Sequence, residues 1–169
     1  WGGDVVYLAA SDFTTPLTLF ALDLNVMELT VIRRQPQQFD SDGINVQQFW
    51  TTSVDGERIP YFHVGKNATP DTPTLVYAYG GFGIPELPHY LGSVGKYWLE
   101  EGNAFVLANI RGGGEFGPRW HQAAQGISKH KSVDDLLAVV RDLSERGISS
   151  SKHIGLQGGS NGGLITAAA

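Results

Sequence analysis

The sequence predicts an α/β domain built on a parallel sheet, entered through short antiparallel strands. Three observations predict it. From Thr74 onward, apolar runs alternate with segments of helical spacing, the pattern of strands joined by helical crossovers. Before Thr74 the chain holds only short strand-like runs broken by turn residues. Finally, Gly158-Gly159-Ser160-Asn161-Gly162 stands directly between a strand-like run and a helix-like one.

The elements follow in order. Val5 to Ala9, Leu17 to Leu22 and Glu28 to Ile32 read as strands, separated by Ser11-Asp12 with Pro16 and by Asp23-Leu24-Asn25. Three such strands cannot hide an apolar face alone and should belong to a larger β structure, such as a propeller blade. Phe39 to Gly43 is a polar break and a boundary. A hairpin follows, Gln47 to Thr52 and Arg58 to Val64 around Asp55-Gly56. Lys66 to Pro73 is a loop, and its Asn67-Ala68-Thr69 is read as a chance sequon. Thr74 to Tyr79 is a strand. Val94, Tyr97 and Trp98 have helical spacing, ended by Gly102. Ala104 to Asn109 is the next strand. Ser132 to Arg146 is the clearest helix, with Ser132 as N-cap, Asp134 and Asp135 as helix-start charge, and Gly147 past its end. Val133, Leu136, Leu137, Val140 and Leu143 are its expected apolar stripe. His153 to Gln157 is a strand, and Leu164 to Ala169 begins another helix.

Composition narrows the function. The 169 residues leave room for one domain, or one and a part, and 41% are hydrophobic, enough for a core. A net charge of −5 argues against an electrostatic nucleic-acid partner. With zero cysteines there is no disulfide framework, thiol nucleophile or cysteine zinc site. Cytoplasm and periplasm are both compatible. No apolar run is long enough to span a membrane, and no signal peptide is visible. The chain opens on Trp1, so it is expected to begin inside a longer protein.

Ser160 is the candidate nucleophile. G-x-S-x-G between a strand and a helix is the nucleophile elbow of an α/β-hydrolase. The turn is sharp, so small residues flank the serine, whose hydroxyl rises above the sheet while the next backbone N–H faces a developing oxyanion. A second donor should come from a loop after an earlier strand, and Tyr79-Gly80-Gly81-Phe82-Gly83 is so placed. Gly112-Gly113-Gly114-Glu115-Phe116-Gly117 contains the dinucleotide spacing G-x-G-x-x-G. However, Pro118 follows, and the next acids open a helix, so a structured loop lining the site is preferred. His63, His89, His121, His130 and His153 show no metal spacing. A triad in α/β-hydrolase order places the acid and the histidine after the serine. No upstream histidine is therefore read as the base, and the chain alone is expected to be inert and poorly covered.

Three segments carry a resemblance. Tyr77-Ala78-Tyr79-Gly80-Gly81-Phe82, the run from Ala108 to Gly117 with Trp120-His121, and Gly158 to Gly163 resemble the prolyl oligopeptidase family in order and spacing. The resemblance implies a seven-bladed β-propeller on an α/β-hydrolase domain. Residues 1–39 are then similar to the last blade, and 40–169 to the first part of the catalytic domain. It implies Ser160 as nucleophile, the Asn161 N–H and Tyr79 hydroxyl as oxyanion donors, and Phe82 and Asn161 as pocket residues. It also implies a short peptide as substrate, cleaved after proline, with no cofactor and no metal. Oligomeric state is not implied. On the residues, an esterase on the same fold, an inert fragment or binding module, and a nucleotide-binding domain stay open.

Overall fold

The computed structural model describes residues 3–169. Trp1 and Gly2, the first residues of the segment read as a blade, lie outside the described residues. The chain forms two compact units. One takes in the chain to Asp42 and Pro88–Glu100, the other Gly43–Leu87 and Glu101–Ala169.

The first unit holds a three-stranded antiparallel sheet, β1 (Val5–Ala10), β2 (Thr18–Asp23) and β3 (Glu28–Arg34), in sequential order. Asp12 and Asp23 close the predicted turns. Each carboxylate accepts backbone N–H bonds from residues two and three ahead, from Thr14 and Thr15 and from Asn25 and Val26. All six residues of β1 and all seven of β3 are exposed. Pro88–Glu100 contributes the helical turn α1 (Gly92–Val94), which widens into a π-type coil over Gly95–Leu99 instead of the expected regular helix. There Phe39 stacks on Tyr90 at 5.3 Å and lies against Gly95, where any side chain would collide with the ring.

The second unit is a five-stranded mixed sheet in the order β4-β5-β7-β6-β8. β4 (Asn45–Thr52) and β5 (Arg58–Gly65) are the predicted hairpin, closed at Ser53 and Gly56. β6 (Thr74–Ala78), β7 (Ala104–Ala108) and β8 (Ile154–Gln157) run parallel. β7 enters between β5 and β6, antiparallel to the first and parallel to the second. All five of its residues are buried, which explains an uninterrupted apolar run rather than alternation. Ile59, Tyr61, Val76, Val106, Leu136, Val139, Leu143 and Ile165 form the core.

Three expectations for the long helix fail. α3 spans His130–Glu145, so Ser132 is not its cap: it lies within the first turn, fully buried, and its hydroxyl donates to the Arg111 carbonyl (2.7 Å). The buried face runs through Ser132, Asp135, Leu136, Val139 and Leu143, while Leu137 is exposed. Asp135 is thus not solvated helix-start charge. It lies wholly inside, paired with Arg111.

Candidate active site

β6 and β8 are neighbours, so the segments leaving their C-terminal ends emerge side by side. After β8, Gly158-Gly159 leads to Ser160, at φ 50° and ψ −115°, and α4 (Asn161–Ala168) begins at the next residue. A β-carbon makes positive φ costly for serine, roughly 1–3 kcal/mol for a strained backbone position. The surroundings hold the turn. The Gly162 N–H donates to the Gly159 carbonyl (2.8 Å), and the Leu164 N–H to the Ser160 carbonyl (3.2 Å). The Ser160 side chain does not cap α4 and is exposed.

After β6, the Tyr79–Gly83 segment turns back on itself, the Ile84 N–H bonding the Gly81 carbonyl (3.0 Å). Phe82 has φ 55° and is 74% exposed. Two contacts bind this loop to the elbow, across about eighty residues of sequence. The Asn161 side-chain amide donates to the Tyr79 carbonyl (2.6 Å). Gly162 packs on the end of β6, where an added β-carbon would overlap the Ala78 carbonyl oxygen and lie 3.2 Å from Tyr79 Cα. Tyr79 itself is half-buried. The predicted residues Tyr79, Phe82, Ser160 and Asn161 thus lie on two adjoining turns at one end of the sheet.

A third segment packs against the Tyr79–Gly83 loop. Gly112, at φ 100°, packs so closely on Gly80 that a side chain there would overlap the Gly80 carbonyl, and its own carbonyl accepts the Gly83 N–H (3.1 Å). Lys129 Nζ donates to the Gly80 carbonyl (2.6 Å), and burial lowers the pKa of that amine. Gly81, Phe82, Gly112, His121, Lys129 and Asn161 are among the residues lining a depression of about 330 Å³. The glycine run from Gly112 does not open a helix. Gly117 turns the chain with φ 78°, and α2 (Pro118–Gln122) starts after it with proline in its first turn.

The histidines divide by environment. His121 Nδ1 lies 2.8 Å from the Gly112 carbonyl and its Nε2 2.6 Å from the Gln125 amide. A proton on Nδ1, with Nε2 accepting from the amide, satisfies both bonds. His153 caps a turn with Ser150 and the Pro70 carbonyl, and His130 faces the Ile127 carbonyl. His63, on β5, is 3% exposed with neither ring nitrogen bonded, and burial lowers its pKa. Among the described residues no group of three or more metal-ligating side chains gathers.

Sequence reasoning missed the ion network behind the site. Arg111, 2% exposed, donates its backbone N–H, Nε and Nη2 to Asp135 and a two-pronged pair to Asp55 (2.6 and 2.9 Å). Burial alone would lower the Arg111 pKa, but the bonds to Asp135 and Asp55 outweigh it and the net shift is upward. The bond from Arg111 holds Asp55 well below the carboxylate range. The available signal was Asp135 itself, a charge in phase with Leu136, Val139 and Leu143 on the helix.

The profile of the prolyl oligopeptidase family matches residues 91–169. An uncharacterized peptidase of Sinorhizobium fredii is 45% identical over 165 residues, 96% of this chain and 23% of the relative. The chain belongs to the prolyl oligopeptidase family. In that family, a solved prolyl endopeptidase superposes with a TM-score of 0.90 at 30% identity, covering 98% of this chain and 25% of that structure. A post-proline cleaving enzyme of Rickettsia typhi does so with a TM-score of 0.86 at 38% identity, covering 97% and 24%. This prolyl oligopeptidase family chain therefore spans about a quarter of the length of the relatives it matches.

Proposed function

We propose that the chain carries the nucleophile and oxyanion donors of a serine peptidase that cleaves short peptides after proline. The observation that carries this reading is Ser160, exposed and uncapped at φ 50° between β8 and α4, against the loop that holds Tyr79. The substrate class is drawn from two relatives, a prolyl endopeptidase and a post-proline cleaving enzyme. In this reading residues 1–39 belong to the last blade of a propeller and 40–169 to the first part of a hydrolase domain.

The Ser160 hydroxyl attacks the scissile carbonyl carbon while its proton passes to a histidine. That histidine and its acid belong to the rest of the protein. The Asn161 N–H and the Tyr79 hydroxyl donate to the oxyanion. The base returns its proton to the departing amine, and water then releases the acyl group from Ser160. Phe82 and Asn161 line the pocket for the residue before the scissile bond.

The test uses the full-length protein and a fluorophosphonate probe. Labelling of one serine, abolished by Ser160→Ala, is expected, together with cleavage of a proline-containing chromogenic peptide by the unlabelled enzyme. Labelling that survives Ser160→Ala would reject the assignment.

A further inference from the structure

The buried network around Arg111 lies behind the site rather than in it, and its bonds lead to the oxyanion loop. Arg111 presents its backbone N–H and its guanidinium to one carboxylate, Asp135, at 2.6 to 2.9 Å. The opposite edge of the guanidinium is held by Asp55, with Ser53 Oγ at 3.3 Å. The Arg111 carbonyl is taken by Ser132. Both backbone polar groups and the side chain of this residue are therefore fixed. A packed apolar residue would secure the core equally well, and one partner would neutralise the cation, so two carboxylates and a doubly bonded backbone are more than burial requires.

The next residue is Gly112, which packs on Gly80. Gly80 is seated between Ile110 and the Arg111 carbonyl: a β-carbon on it would lie 2.6 Å from the Ile110 side chain and 3.1 Å from the Arg111 oxygen. The Gly83 N–H bonds the Gly112 carbonyl. The Tyr79–Gly83 loop thus rests on the Ile110–Gly112 backbone at both its ends. That backbone is set by Arg111.

We infer that Arg111, clamped by Asp135 and Asp55, is a positioning residue that fixes the Tyr79 hydroxyl for the oxyanion. The inference rests on the reading of Tyr79 given above. It requires that a change at Arg111 act through Tyr79, on turnover rather than on substrate binding. Lysine at position 111 keeps the charge but cannot bridge two carboxylates in a planar fork. A misplacement on the order of 1 Å at a catalytic group lowers turnover by about 10²-fold.

The experiment is a double-substitution cycle in the full-length protein, with competent sites counted by fluorophosphonate titration. Arg111→Lys is expected to lower kcat per labelled site by about tenfold or more and to leave KM within about twofold. In a Tyr79→Phe background the same change should cost little more, because the hydroxyl it positions is gone. Losses that multiply in full, or an unchanged kcat per site, would overturn the inference and leave only a role in stability. If Arg111→Lys does not fold, Asp55→Asn removes one arm of the fork from the half-exposed side, and the same cycle decides. Tyr79→Phe alone tests the underlying reading: unchanged turnover there removes the oxyanion role of Tyr79, and this inference with it, while Ser160 labelling is untouched.

Discussion

Replacing Gly162 by alanine should damage the site far more than the size of one methyl suggests. The glycine faces the end of β6, and its new β-carbon would overlap the Ala78 carbonyl oxygen, with the Ala78 carbonyl carbon at 3.3 Å and Tyr79 Cα at 3.2 Å. All three are backbone atoms and cannot rotate away. The elbow must therefore retreat from β6 by about 1 Å to restore van der Waals distance. Overpacking of this kind costs about 1–3 kcal/mol of stability. The functional cost is larger in proportion. Ser160, two residues back, moves relative to Tyr79, and a displacement of about 1 Å is worth about 10²-fold in rate. Gly159→Ala is the control, since among the described residues nothing beyond its chain neighbours lies within 4 Å of its β-carbon position. The assay is kcat/KM on a proline-containing chromogenic peptide with the full-length protein, alongside thermal unfolding. Gly162→Ala should lose about 10²-fold and Gly159→Ala less than about threefold. Equal effects from the two would refute the argument that contact with β6 positions Ser160.

Two further outcomes are expected. Burial holds the His63 pKa below 6.5, so as pH falls through that value the unfolded chain takes up a proton that the folded one excludes. Stability should decline by up to about 1.4 kcal/mol per pH unit below about pH 6.5, the decline ending at the folded pKa. His63→Leu should remove that part of the slope in chemical denaturation between pH 8 and 5, and an identical slope in the variant would place the titration elsewhere. The loop at Gly112 packs its glycines on Gly80 and on the Gly83 carbonyl and turns at Gly117 before its helix, so calorimetric titration with NAD should show no binding. Micromolar affinity would contradict that reading.

Element type was legible wherever local pattern decides it. The hairpin at Asp55-Gly56 and the parallel strands followed from short-range chemistry, and their limits moved by only a residue or two, whereas α4 starts at Asn161, three residues before the expected Leu164. The failures share one cause. Ser132 has the side chain of a cap, yet a 3₁₀ turn at Gly126–Ser128 leads in and α3 begins at His130, so its hydroxyl serves Arg111 instead. Leu137 and Val140 are apolar, yet the buried face is shifted toward Asp135, because a partner 24 residues upstream neutralises that carboxylate. The entry of β7 between β5 and β6 is likewise a pairing at a distance that no window of sequence contains. At the site, Ser160 could be read from its flanking residues. The contacts that hold it, from Asn161 to Tyr79 and from Gly112 to Gly80, join turns far apart in the chain.

The position of β6 has a kinetic consequence. Its partners arrive in unequal order: β7 begins about thirty residues later, whereas Thr74 pairs with Ile154, eighty residues on. Closing the second loop costs more chain entropy than the first, and nothing repays it until β8 is seated. The β6–β7 pair can therefore form while the serine turn is still unstructured, and that turn is among the last features assembled. A residue that matters only in that turn contributes little to the barrier for folding and much to the barrier against unfolding. The strained turn at Ser160 is thus not an obstacle the nascent chain must cross early. It is imposed late, by a sheet already built, and its release is an early step in coming apart.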